Sequence, residues 1–132
     1  MSIELTMLAL SVARLFVLVI IQSLAGVQAQ GLFVMAGPRD DLPASKPWQA
    51  RTLRCVDNHR EGLIMFAPLV LIAADLGVSN TLTVWGAQLF FYSRVAHAVV
   101  YLAGLPLIRP VFWTIGLIGT AMIFAALFGA NV

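Results

Sequence analysis

The sequence has little charge and few of the residues that build metal or disulfide sites. Charged residues are 11% of the 132 residues, well below the roughly 25% typical of soluble domains. The single cysteine, Cys55, excludes an intrachain disulfide, and one cysteine with two histidines gives no credible metal site. A net charge of +2 does not suggest a nucleic-acid partner. Hydrophobic residues make up 61% of the chain, which indicates a membrane protein.

Four segments of the sequence can form helices long enough to cross a bilayer core of about 30 Å, which needs roughly 20 residues. The purely apolar part of the second segment is only about 13 residues, or about 20 Å in a helix, so this helix must recruit the polar stretch RCVDNHRE before it. The sequence therefore predicts one domain, an all-α, integral-membrane four-helix bundle. Its helices are expected at about residues 3–28, 49–74, 80–103 and 109–129.

The second segment carries a polar face. Spacings of three, four and three residues place one set on the same side of the helix: Arg51, Arg54, Asn58 and Glu61. Exposure to lipid would be expensive for these groups, so we expect the face to contact protein or a water-filled cavity. Its neighbours His59 and Arg60 are expected to lie at the lipid headgroups, Arg60 by extending its long side chain.

The third segment carries a second polar face formed by Arg94, His97 and Tyr101, again spaced by three and four residues. Glu61 and Arg94 lie at similar depth, each about 15 to 20 Å along its helix. An ion pair between them is the cheapest way to bury both charges. Arg14 of the first segment lies at comparable depth and competes for the same carboxylate.

The basic residues predict the orientation of the helices. Most of them fall near the first and third connections: Arg39, Lys46, Arg51, Arg54, Arg60 and Arg109. The positive-inside rule places those connections in the cytoplasm and both termini on the other side. The start of the chain, MSIE, lacks the basic region of a signal peptide, so the first segment is expected to be a retained helix.

The stretches RTLRCVDNHREGLIMFAPLVLIA and SRVAHAVVYLAGLPLIR resemble the MAPEG family, the membrane-associated proteins of eicosanoid and glutathione metabolism, and especially its bacterial branch. The helix-two pattern of the family appears as Arg54, Asn58 and Glu61. The helix-three pattern appears as Arg94, His97 and Tyr101 and is similar to that of microsomal prostaglandin E synthase.

This resemblance implies a homotrimer in a bacterial inner membrane that binds membrane lipid, glutathione and a lipophilic substrate. Glutathione would lie between subunits near the cytoplasmic face. An arginine near the start of helix four would favour its thiolate, a role that Arg109 matches after a one-residue gap. The cofactor-binding residues carried over from the family motifs are Arg51, Arg54, Asn58, Glu61, Arg94, His97 and Tyr101. The implied activity is that of a glutathione-dependent transferase or isomerase.

The sequence departs from the family pattern at two positions. The end of the first helix reads QSLAGVQAQG and lacks the usual arginine, and Pro110 follows Arg109.

Two other functions stay open. One membrane-embedded carboxylate in a small four-helix protein also fits a small multidrug or proton-coupled transporter. A non-catalytic, lipid-binding member of the family is a further alternative. The same polar residues can equally serve to join helices.

Overall fold

The computed structural model describes residues 1–38, 40 and 43–129, and within them the regular structure is helical, with no strands. The helices are α1 (Ile3–Gln30), α2 (Leu32–Ala36), α3 (Pro47–Leu76), α4 (Thr81–Ala103) and α5 (Arg109–Leu127). The all-α prediction is confirmed. The four long helices lie within a few residues of the predicted ranges, and the short helix α2 adds a fifth that was not predicted. Arg39, which entered the prediction of orientation, lies outside the described residues.

The ends of the helices follow from local sequence signals. Ser2 caps α1, because its hydroxyl accepts a hydrogen bond from the backbone N–H of Leu5 at 3.2 Å. Asn80 and Thr83 form a capping box at the start of α4, in which each side chain accepts a hydrogen bond from the backbone N–H of the other. Glycines in the left-handed region end α3 and α4, at Gly77 and Gly104.

Helices α4 and α5 approach each other closely where two glycines face. A Cβ atom placed on Gly86 would lie 2.6 Å from the carbonyl oxygen of Gly119, and one placed on Gly119 would lie 2.5 Å from that of Gly86. Contact between small residues is typical of helices that pack in membranes. Beside this contact the rings of Phe66 and Phe90 stack with centroids 3.9 Å apart, which brings α3 against α4.

A buried carboxylate joins the start of α1 to the connection between α3 and α4. Glu4 is 5% exposed. It accepts hydrogen bonds from the hydroxyl groups of Thr83 at 2.6 Å and Ser79 at 2.8 Å. These bonds fix the end of the molecule opposite to the connection between α4 and α5.

Two helices of the described chain, α1 and α5, are long and apolar enough to cross a membrane. Only 28% of the apolar window of each is buried inside the protein, so most of that surface faces outward. Phe16 on α1 is 68% exposed and Phe124 on α5 is 53% exposed. An apolar surface of this extent suits contact with lipid. Helices α3 and α4 do not meet the same criterion.

Candidate functional site

Arg94 is the centre of the polar interior and joins three helices. It is 2% exposed, and its Nη2 donates hydrogen bonds to the side-chain oxygen of Asn58 at 2.5 Å and to the backbone oxygen of Asn58 at 3.0 Å. Two glycines leave room for it: a Cβ on Gly62 of α3 would lie 3.5 Å from its Cζ, and one on Gly116 of α5 would lie 3.0 Å from its Cδ.

The predicted ion pair between Glu61 and Arg94 is wrong. Within the part of the chain that the structure describes, the ion pair that forms is the exposed one between Arg60 and Asp57, at 2.5 Å. Glu61 is exposed and takes part in no ion pair among these residues. Arg94 is held by Asn58, one turn earlier on α3, and this hydrogen bond takes the place of the expected charge pair.

The rotation of α3 explains this difference. Its buried residues are Gln49, Thr52, Cys55, Val56, His59, Phe66, Val70 and Ala73. This stripe lies beside the predicted polar face, so that Arg51 and Asn58 fall at its border while Arg54 and Glu61 lie on the outer surface. The polar face therefore opens away from the interior of the protomer, and only Asn58 reaches α4.

Arg14 of α1 also differs from its prediction. Its Nε, Nη1 and Nη2 atoms are buried and have no hydrogen-bond partner among the described residues. Its guanidinium lies over the ring of Phe90, with Cζ 5.5 Å from the centroid, which is a cation–π contact. The prediction that it competes for a buried carboxylate is wrong. The interior holds two guanidinium groups, those of Arg14 and Arg94, with no carboxylate bound to either in the described chain.

Two histidines form a buried pair between α3 and α4. His59 is 0% exposed and His97 is 1% exposed. The Nε2 atom of His59 lies 3.1 Å from the Nδ1 atom of His97, a hydrogen-bond distance. The expectation that His59 lies at the headgroups is wrong. The signal that could have placed it inside is its spacing of seven, four and three residues from Thr52, Cys55 and Val56, which is that of a helix stripe.

The polar contacts continue to the end of α4 and the start of α5. The ring of Tyr101 lies one turn after His97, with ring centroids 5.5 Å apart. The guanidinium of Arg109, an exposed residue, lies over the Tyr101 ring with Cζ 4.5 Å from the centroid. A Cβ on Gly104 would lie 2.5 Å from the Nη1 atom of Arg51, so Arg51 also packs against this end of α4.

The structure thus separates the predicted site residues into two groups. One group is linked by contacts or lies at the same end of α4: Arg51, Asn58, Arg94, His97, Tyr101 and Arg109. Arg54 and Glu61 lie beside this group on the outer surface of α3. The cavity that touches Arg94 measures only about 10 Å³, room for about one water molecule.

Gln30 lies at the end of α1, where the family pattern has an arginine. Gln30 donates hydrogen bonds from Nε2 to the side-chain oxygen of Gln49 at 3.1 Å and to the backbone oxygen of Ala44 at 3.3 Å. These bonds tie the end of α1 to the start of α3. Gln30 is therefore engaged within the protomer, whereas Gln28 is exposed.

Comparison with known proteins agrees with the motifs. No curated protein matches the chain. The model of the MAPEG family matches residues 5–129, which contain nearly all of the helical structure described above. The chain belongs to the MAPEG family.

Proposed function

We propose that the chain is a membrane-embedded, glutathione-dependent transferase or isomerase that acts on lipophilic substrates. Family membership supports a membrane protein of this general kind. The observation that carries the proposal is two neighbouring sets of contacts, the Asn58–Arg94 hydrogen bonds and the series that runs from the histidine pair to Tyr101 and Arg109. Motif residues from three helices meet in these sets.

Glutathione has two carboxylates and one ammonium group, and the exposed side of α3 offers groups that complement them. Arginine binds carboxylates through paired hydrogen bonds, and Arg51 and Arg54 supply such groups. Glu61, exposed and outside any ion pair of the described chain, can receive the ammonium group. Arg94 is already engaged by Asn58, so its part is to hold α3 and α4 in register behind the ligand.

Arg109 is placed to favour the thiolate of glutathione. A thiolate is the nucleophile, and a nearby cation stabilises it relative to the thiol. Contact with the Tyr101 ring holds the guanidinium at the start of α5 while leaving it exposed. In a conjugation the thiolate sulfur forms a bond to an electrophilic carbon, which either loses a leaving group with its bonding electrons or passes a π-electron pair to a neighbouring atom that then takes up a proton. In an isomerisation the sulfur adds in the same way, and the carbon–sulfur bond then breaks to return the thiolate once the substrate has rearranged. Proximity to a substrate that partitions from the lipid supplies the remaining acceleration.

The proposal includes a homotrimer with glutathione between neighbouring copies. Arg54 and Glu61 lie on the surface of the protomer, and exposure of such groups to hydrocarbon is expensive. A neighbouring copy would cover them. The small cavity at Arg94 supports the same arrangement, because a tripeptide does not fit inside one protomer at that point.

We also propose that α3 and α4 cross the membrane with α1 and α5. The four crossings would place both termini on the non-cytoplasmic side of a bacterial inner membrane. Arg51 and Arg109 lie at the same end of the long helices, as the positive-inside rule requires of a cytoplasmic end.

Calorimetric titration of the detergent-purified protein with glutathione and its sulfonate analogue tests the proposal. Arg54→Ala and Glu61→Gln are expected to weaken binding. Arg60→Ala, which removes an exposed arginine that is paired with Asp57, is the matched control and should bind as the unmodified protein does. No binding at millimolar ligand with the oligomer intact would reject the cofactor.

A transporter is the second candidate, and Glu61 favours it. A proton-coupled transporter needs a carboxylate that is free to exchange protons or cations, and Glu61 is outside any ion pair of the described residues. Uptake of a lipophilic cation into proteoliposomes under a pH gradient, lost in Glu61→Gln, would support this function over the first. Binding of lipid-like ligands without glutathione would instead indicate the non-catalytic alternative.

A further inference from the structure

The two histidines of the chain are in contact with each other inside the protein. The sequence has two histidines in all. His59 and His97 are 0% and 1% exposed, and one nitrogen of each ring, Nε2 of His59 and Nδ1 of His97, lie 3.1 Å apart. The other nitrogen of His59, Nδ1, is buried and has no hydrogen-bond partner among the described residues.

We expect both imidazoles to be neutral. Each ring is buried, and the two lie at hydrogen-bond distance from each other. A protonated imidazole would add a further cation to an interior that already holds the buried guanidinium groups of Arg94 and Arg14, with no carboxylate bound to either among the described residues.

A hydrogen bond between two neutral imidazoles carries one proton, so two arrangements are possible. In the first, His97 donates from Nδ1, and His59 must then carry its own proton on Nδ1. That N–H would be buried without an acceptor among the described residues. In the second, His59 donates from Nε2, and its bare Nδ1 needs no acceptor. The second arrangement is the more stable, because a buried N–H without an acceptor costs more than a ring nitrogen without a donor.

We propose that His59 fixes His97 in the tautomer that carries its proton on Nε2, so that His97 is a hydrogen-bond donor and not a base. His59 is then a positioning residue that acts through His97. The role toward a ligand rests on the function proposed above: the Nε2–H group of His97 would donate to an acceptor of glutathione, and the thiol proton would leave by another route. The tautomer itself does not depend on that function.

Nitrogen NMR of the protein labelled with ¹⁵N-histidine tests the tautomer directly. Because the chain has two histidines, the spectrum has two ring systems, and His97→Gln assigns them. We expect a bare Nδ1 and a protonated Nε2 for both rings in the absence of glutathione. A proton on Nδ1 of His97, or a protonated imidazolium at neutral pH, would overturn the proposal.

Two variants separate the positioning role from a merely structural one. His59→Gln keeps an N–H donor near the position of Nε2 and should preserve the His97 tautomer. His59→Leu removes the donor and should let His97 carry its proton on either ring nitrogen. Glutathione affinity should fall about tenfold in His59→Leu, the equivalent of one hydrogen bond, and stay close to the original in His59→Gln. Equal loss of the tautomer in both variants would refute the role of His59. A protein that shows the expected tautomer and binds no glutathione would refute only the function.

Discussion

The guanidinium of Arg109 lies over the ring of Tyr101, with Cζ 4.5 Å from the ring centroid. The first residue of α5 is thereby fixed against the last turn of α4. Within the described chain no carboxylate forms an ion pair with this arginine, so its charge is available to an anion that enters from outside. A thiolate is such an anion.

Removal of Arg109 should separate glutathione binding from thiolate formation. In Arg109→Ala we expect affinity for glutathione to change by less than about threefold, because the groups assigned to the carboxylates and the ammonium group lie on α3. The ultraviolet difference absorbance of the bound thiolate should disappear. Arg60→Ala is the control for the loss of an exposed arginine. An unchanged thiolate signal in Arg109→Ala would remove this residue from the mechanism.

Asn58→Ala should lower the free energy of unfolding by about 1.5 to 3 kcal/mol, the range for hydrogen bonds to charged groups. The substitution leaves the buried Nη2 of Arg94 with the backbone oxygen of residue 58 as its acceptor. Asn58→Asp keeps the acceptor and should be far less damaging. Maleimide labelling of Cys55, which is 0% exposed, reports the unfolded fraction in detergent. Equal labelling of both variants would contradict the importance of this bond.

The contact between α4 and α5 predicts a contrast between two glycine substitutions. Gly86→Ala places a Cβ 2.6 Å from the backbone oxygen of Gly119 and should lower stability by about 1 to 3 kcal/mol. Gly62→Ala meets Arg94 at an ordinary 3.5 Å, and the gain in helix propensity, up to about 1 kcal/mol, should make it neutral or stabilising. The same Cys55 labelling assay compares them. The reverse order of stability would show that the two helices are farther apart than described.

Glu4→Ala should loosen the end of the molecule opposite to Arg109. It removes the acceptor of two hydroxyl groups, those of Thr83 and Ser79, and should cost about 1 to 3 kcal/mol. Glu4→Gln retains an acceptor oxygen and should lose less. Hydrogen exchange of the backbone amides around residues 77–83 measures the effect. Unaltered protection in Glu4→Ala would mean that the connection between α3 and α4 is held by other contacts.

The extents of the long helices could be predicted because they depend on local properties of the sequence. Apolar length, proline and glycine positions and capping residues lie within a few residues of each helix end. The second helix, predicted at 49–74, is observed at Pro47–Leu76, with Pro47 in the first turn and Gly77 after the last. Composition alone indicated a membrane protein, and the outward-facing apolar surfaces of α1 and α5 agree with that prediction.

The partners of the polar residues could not be predicted, because they depend on how each helix is rotated against its neighbours. A difference of one residue in the buried stripe of α3 turns the helix by about 100°. That difference moved His59 inside and left Glu61 on the surface. Spacing along a single helix shows which residues share a face but not which neighbour that face meets. The Asn58–Arg94 bond and the histidine pair are both products of that rotation.

The close approach of Gly86 and Gly119 has a mechanical consequence. The backbones of α4 and α5 are in direct contact there and resist sliding along each other, because a shift would bring a carbonyl oxygen of one helix against the side chains of the other. Helices α4 and α5 should therefore move as one rigid body, and the distances among His97, Tyr101 and Arg109 should be the same before and after a ligand binds. The Asn58–Arg94 hydrogen bond also ties α3 to this pair, so an opening for a bulky hydrophobic molecule is expected where α1 meets the other long helices.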